Sequence, residues 1–194
     1  MHIKRALHGM MNGPVSMSMR QKGLAYKIIF GVELPRLQEY AAELPHNYAL
    51  AAALWHEDIR ECRLLAGMLM PRHSFSEDLA DEWLRSMRYA EEVDATILHL
   101  LQYQSYAGGK VFEWISSELP LHRYAGYQLL GRLYMRGMRL TTRDAHECLD
   151  HITSDLHDAT HPLVRKAAYK TLLRYMEQGI PEERMGQKVL DSIN

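Results

Sequence analysis

No segment of this chain alternates apolar and polar residues with period two for long enough to make a strand, whereas apolar residues recur at helical spacing along most of its length. That asymmetry removes the sheet-containing classes and leaves stacked helices. Proline, glycine and capping residues set the cuts. Residues 1–11 form a predicted short helix ended by Asn12-Gly13-Pro14, and residues 16–28 a second, broken near Gly31. Pro35 suits the first turn of the next helix, through Leu37, Tyr40 and Ala41. The stretch Leu50–Ala66, rich in Ala and Leu, fits two short helices or one kinked one. Ser74-Phe75-Ser76-Glu77 has capping-box form, with Ser74 as cap, ahead of a helix that turns Leu79, Trp83, Leu84 and Met87 inward. Residues 91–104 make another helix, Gly108-Gly109 marks a loop, and residues 110–117 are helical again. Pro120 opens a longer helix to about Met135, closed by Gly137. Thr141 or Thr142 caps the next. His161-Pro162 starts one with Val164, Ala167, Ala168, Leu172 and Tyr175 on a single face, Gly179 is a C-cap, and Pro181 opens the last helix, to Ile193. The sum is an all-α chain of about ten helices joined by short turns.

At 194 residues the chain suits one domain, 1–194, and 47% hydrophobic residues supply a core. A charged fraction of 24% argues against disorder. The net charge of −1 counts against a uniformly basic nucleic-acid binder but leaves room for a local patch. Two cysteines, Cys62 and Cys148, build no disulfide framework and point to a reduced, cytoplasmic setting. No apolar run approaches the roughly 20 residues of a membrane span, and the basic N-terminus lacks the apolar segment of a signal peptide. The 12 methionines, Met10, Met11, Met17 and Met19 among them, read as flexible core filler.

Two stretches carry a family resemblance. Leu54-Trp55 followed by Glu61-x-Arg63-x-Leu65-Ala66 is one, and Phe30-Gly31-Val32-x-x-Pro35-x-Leu37 is the other. Both resemble the bacterial DNA alkylation repair family, HEAT-like helical solenoids that excise N3- and N7-alkylated purines in base excision repair. His161-Pro-Leu-Val-Arg-Lys-Ala-Ala168 resembles the second helix of a HEAT repeat, and Leu121–Tyr127 stands one repeat earlier, about 40 residues upstream. The resemblance implies an α-α superhelix with a concave binding face.

It also implies a chemistry. A purine alkylated at N3 or N7 is already cationic, so its glycosidic bond is weakened and no cofactor is needed. A carboxylate must stabilise the positive charge that grows on the sugar, and cations and flat side chains must hold the deformed duplex. Trp83–Ala95 aligns with the family's "S-W-D-x-C-D" segment and puts the catalytic carboxylate on Asp94. The motif's tryptophan falls on Ala90, with Tyr89 adjacent; the acid after it falls on Glu91, and the cysteine on Val93. The phosphate-contacting arginine falls at Arg123 or Tyr124, and the second tryptophan near Lys170, with Tyr169 beside it.

One feature is independent of the family. No acid occurs from Leu119 to Arg143, yet Arg123, Arg132, Arg136, Arg139 and Arg143 do, with Tyr124, Tyr127 and Tyr134 interleaved. Arg132 and Arg136 are one turn apart and share a face. Arginines among aromatics suit phosphates and bases, against the plainer reading of a solvated helix face with tyrosines in the core. His146, Cys148, Asp150 and His151 offer zinc-ligand types at no standard spacing, and His56-Glu57 lacks the second histidine of a zinc-protease helix, so no metal is expected. Two functions follow. One is a protein that binds double-stranded DNA, alkylated or plain, with glycosylase activity reduced or lost where the tryptophans are missing. The other is a non-enzymatic HEAT-like scaffold holding a peptide or protein.

Overall fold

A computed structural model describes residues 2–193 and contains twelve α-helices, two 3-10 turns and no strand among them. The helices are α1 (His2–Gly9), α2 (Gly13–Gln21), α3 (Leu34–Ala42), α4 (Tyr48–Trp55), α5 (Arg60–Leu69), α6 (Glu77–Ser86), α7 (Ala90–His99), α8 (Ala107–Ile115), α9 (Pro120–Met135), α10 (Thr142–His157), α11 (Pro162–Met176) and α12 (Ile180–Ile193). They fall into two compact units, Met1–Leu100 and Leu101–Asn194.

In the first unit, α5 is the central element: α3, α4 and α7 all pack on it, and each of its ten residues is buried. The Leu50–Ala66 stretch thus resolves into two helices, part of why about ten becomes twelve. Asn12 does more than end α1. Its side chain accepts from Val15 N at 3.2 Å and caps α2, with Pro14 in the first turn. The predicted helix over 16–28 stops at Gln21 instead. The backbone of Ile28 is engaged elsewhere: its N–H donates to Asp58 O at 3.2 Å and its carbonyl accepts from Arg60 N at 3.1 Å, a parallel bridge to Ile59. The N-terminal methionines are not all core filler, since Met11 and Met17 are exposed. Ser76, not Ser74, caps α6, accepting from Leu79 N at 3.2 Å.

In the second unit, α8 packs on α9, α9 on α11, and α10 and α12 on α11. Gly108-Gly109 is no loop; both lie inside α8. Each glycine costs a helix about 1 kcal/mol against alanine, and α8 offsets this by burying Val111, Trp114 and Ile115. Gly126 allows the α8–α9 approach: a Cβ there would lie 2.7 Å from Ile115 Cγ1 and 2.8 Å from Ile115 N. Residues 91–104 are helical only to His99, followed by a 3-10 turn over Leu101–Tyr103. The expected starts at Pro120 and Pro162 hold, as do the cap at Thr141 and the inward face of α11, with Val164, Ala167, Ala168, Leu172 and Tyr175 all buried.

Candidate nucleic-acid interface

In the first unit the charged residues of the opening motif point inward. Glu61 has no solvent exposure and accepts from three consecutive backbone amides, Phe30 N at 3.0 Å, Gly31 N at 2.9 Å and Val32 N at 3.2 Å. Gly31 is bound to this turn by its φ of +76° and by crowding, because a Cβ would sit 2.3 Å from Asn12 O. Arg60 bonds Val32 O at 3.0 Å and Glu91 at 3.0 and 3.1 Å. Arg63 lies 3.9 Å over the Trp55 ring, and donates to Glu92 at 2.7 Å, Ser86 O at 2.8 Å and Trp55 O at 3.0 Å. Trp55 stacks on Trp83 with centroids 3.9 Å apart. The two stretches that carried the resemblance are therefore one hydrogen-bonded assembly. Buried charges are tolerated because every one is paired.

The assembly fixes the start of α7. Glu92 accepts from Arg88 N at 2.7 Å and Tyr89 N at 3.2 Å, so the first turn of α7 is tied to Arg63. This places Asp94 in the second turn of α7, exposed to solvent. Tyr89 is committed within the fold. Its hydroxyl accepts from Ala25 N at 2.8 Å, and its ring packs 4.7 Å from that of Tyr26, beneath the Arg88 guanidinium. Ala90, beside it, carries no ring.

In the second unit the arginines do not form one patch. Arg123 lies 3.3 Å from Asp155 and 3.7 Å from Asp158, yet its buried Nε and Nη2 make no aligned hydrogen bond. Asp155 accepts instead from the Tyr127 hydroxyl at 2.6 Å. Burial and this carboxylate push the Tyr127 phenol well above its ordinary range. Tyr124 is a core residue, 6% exposed, whose hydroxyl accepts from Gln128 at 2.9 Å, so the ring expected to meet DNA packs inside; Tyr127 and Tyr134 are buried as well. Arg139 spends its charge on Glu182 at 3.3 Å and Gln178 O at 2.7 Å. Arg132 remains half-buried on α9, and Arg136, exposed at its C-cap, sits 4.5 Å over the Tyr103 ring.

The more strongly basic surface belongs to α11. From Ala159 to Met176 there is no acid, and Arg165, Lys166, Lys170 and Arg174 are all exposed, with Tyr169 at 44% exposure among them. Arg165 and Lys166 were not expected as contacts. The acid-free count that marks 119–143 marks this segment too, so the signal was present in the sequence. Helices α9 and α11 lie together, joined by Thr171 Oγ1 donating to Tyr127 O at 2.9 Å. The zinc-type residues do not assemble: Cys148 is buried, its thiol pushed up to about 12 by burial, and no group of three or more His, Cys, Asp or Glu among the described residues could hold a metal.

The DNA alkylation repair enzyme family model matches residues 3–178. The chain belongs to that family. A solved structure superposes on this DNA alkylation repair family member with a TM-score of 0.86 at 17% identity, covering 100% of this chain and 82% of the other. It is described as one of a new family of proteins related to the HEAT-like repeat DNA glycosylases with affinity for branched DNA structures. The likeness shows that the family member has the HEAT-like repeat fold. No curated protein matches the chain. No helix among the described residues is long and apolar enough to cross a membrane.

Proposed function

We propose that the chain is a DNA-binding member of the alkylation repair family, acting as one HEAT-like domain in the cytoplasm, with base excision reduced or lost. The observation that carries this is the pairing of α9 with α11: Arg132 is half-buried and Arg136 exposed at the end of α9, Lys170 and the Tyr169 ring are exposed on α11, and no acid interrupts either helix. Phosphates are bound by such cations and bases by such rings. Arg123, held between Asp155 and Asp158, serves as the inner support of the layer, and Tyr124 contributes packing. Asp94 is the carboxylate for charge on the sugar, but the ring that should accompany it is missing at Ala90 and Tyr89 is engaged with Ala25 and Tyr26. The relative's affinity for branched DNA structures supports a role in binding distorted DNA.

Fluorescence anisotropy of a labelled duplex across a salt titration tests the binding. Affinity falls as salt rises, and Arg136→Glu and Lys170→Glu each weaken it and flatten the salt slope by about 1. Binding by these variants that equals wild type at every salt concentration dismisses the surface. Release of 7-methylguanine from alkylated DNA, abolished by Asp94→Asn, contradicts the loss of catalysis. Absence of any duplex binding favours the scaffold reading, for which exposed Met11 and Met17 are among the available apolar contacts.

A further inference from the structure

We infer that a pocket of the second unit, formed by α10, α11 and α12, receives one unpaired nucleotide of a DNA strand. This rests on the DNA-binding reading above. The cavity measures about 540 Å³, within the range of sites that hold a single small-molecule-sized group. Its wall divides by chemistry. Arg165 and Lys166 of α11 line it and, among the described residues, no acidic side chain does, so it favours an anion. Leu156 of α10 and Leu190 and Ile193 of α12 give it apolar lining, and the Tyr169 ring of α11 lines it as well. Gln187 also lines the wall, its amide donating to Asp191 at 2.7 Å.

A free inorganic anion uses only the cationic half of such a site, and an apolar molecule only the other. A nucleotide uses both: phosphate against Arg165 and Lys166, base against Tyr169 and the aliphatic wall. The base must be unpaired, because a paired one has both faces covered by its neighbours and its edge engaged. The strand also has a way out. Lys166 and Lys170 are one turn apart on α11, about 6 Å along the helix axis, so the cation that meets the pocketed nucleotide is followed by one that meets the next phosphate. None of these residues belongs to the Asp94 region, and the pocket asks for no chemistry on the base.

The test uses the full chain and two labelled DNAs, a paired duplex and the same duplex with one bulged 2-aminopurine. The wild type binds the bulged DNA several-fold more tightly, and the 2-aminopurine emission falls on binding as the base stacks on Tyr169. Leu190→Trp fills the pocket, removes the preference and the quench, and leaves duplex affinity unchanged. Tyr169→Ala removes the quench, while Tyr169→Phe, which keeps the ring at an exposed position, retains it. Equal affinity of the wild type for the two DNAs, or a preference and quench that survive Leu190→Trp, overturns the pocket and leaves duplex binding standing. Free dAMP binding as tightly as the bulged DNA reassigns the pocket to a free nucleotide and overturns the inference. No binding of either DNA overturns the DNA reading, and this inference with it.

Discussion

Two groups of cations, one in each unit, are held in opposite ways. In Met1–Leu100, Arg60 and Arg63 are buried and saturated, each with several partners, and Glu61 and Glu92 answer them. In Leu101–Asn194, Arg136, Arg165, Lys166 and Lys170 stand in solvent on helices without acids. A charge count therefore says little about binding until each charge has been matched to its partner. A guanidinium inside a network is architecture, and its loss destabilises. One on an unpaired face is available, and its loss costs stability little. Arg123 stands between the two cases: it is in the second unit but held by Asp155, so it behaves as a member of the first class.

The largest effect is expected at Glu61. Replacing it by alanine leaves three backbone amides without their carboxylate and Arg60 with Glu91 alone, and the expected loss is about 3–5 kcal/mol, read from urea unfolding. Glu61→Gln loses less, since it still accepts. A variant within 1 kcal/mol of wild type shows that the network is not what holds the first unit. Gly126→Ala is the matching stress on the second unit, where the new methyl meets Ile115; it costs about 1–3 kcal/mol, and a neutral result means that α8 and α9 separate freely.

Thiol reactivity reports which unit opens. Burial raises both Cys62 and Cys148 from 9.0 to about 12, one in each unit. Because the folded pKa is raised, the thiolate is scarce in the native state near pH 8, and neither cysteine reacts quickly with a disulfide reagent. Glu61→Gln exposes Cys62 ahead of Cys148, and Gly126→Ala reverses the order. Equal acceleration of both in either variant shows one cooperative body, and the contrast between units then concerns charge alone.

The smallest effect on stability belongs to the exposed cations. Lys170→Gln and Arg136→Gln shift unfolding by no more than about 0.5 kcal/mol, while duplex binding weakens at low salt more than at high salt. A stability loss as large as that of Glu61→Ala places these residues in the architectural class.

Much of the fold was legible. Pro120, Pro162, Thr141 and Gly137 mark helix limits by local backbone chemistry, and such signals need no tertiary context. The failures fall where packing overrode local preference. Gly108 and Gly109 went into a helix because Val111 and Trp114 are buried from the same turns, and the helix over 16–28 stopped because Ile28 is held by Asp58 and Arg60. The candidate site was less legible. Helical spacing put Arg132 and Arg136 near each other, but the spacing could not reveal that Tyr124 faces the core or that Arg139 meets Glu182, partners more than forty residues away.

By itself the sequence determined the class, an all-helical repeat chain, and the family, through Phe30-Gly31-Val32 and Glu61-x-Arg63. What those residues do depends on the partners that folding brings to them. Period and capping are written in neighbours a few positions apart, whereas pairing is settled by what a long fold brings within 3 Å. Glu61 and Lys170 are both charged residues on helices; the first is enclosed by the backbone of residues 30–32 and the second faces water, and that difference in partners separates scaffold from surface.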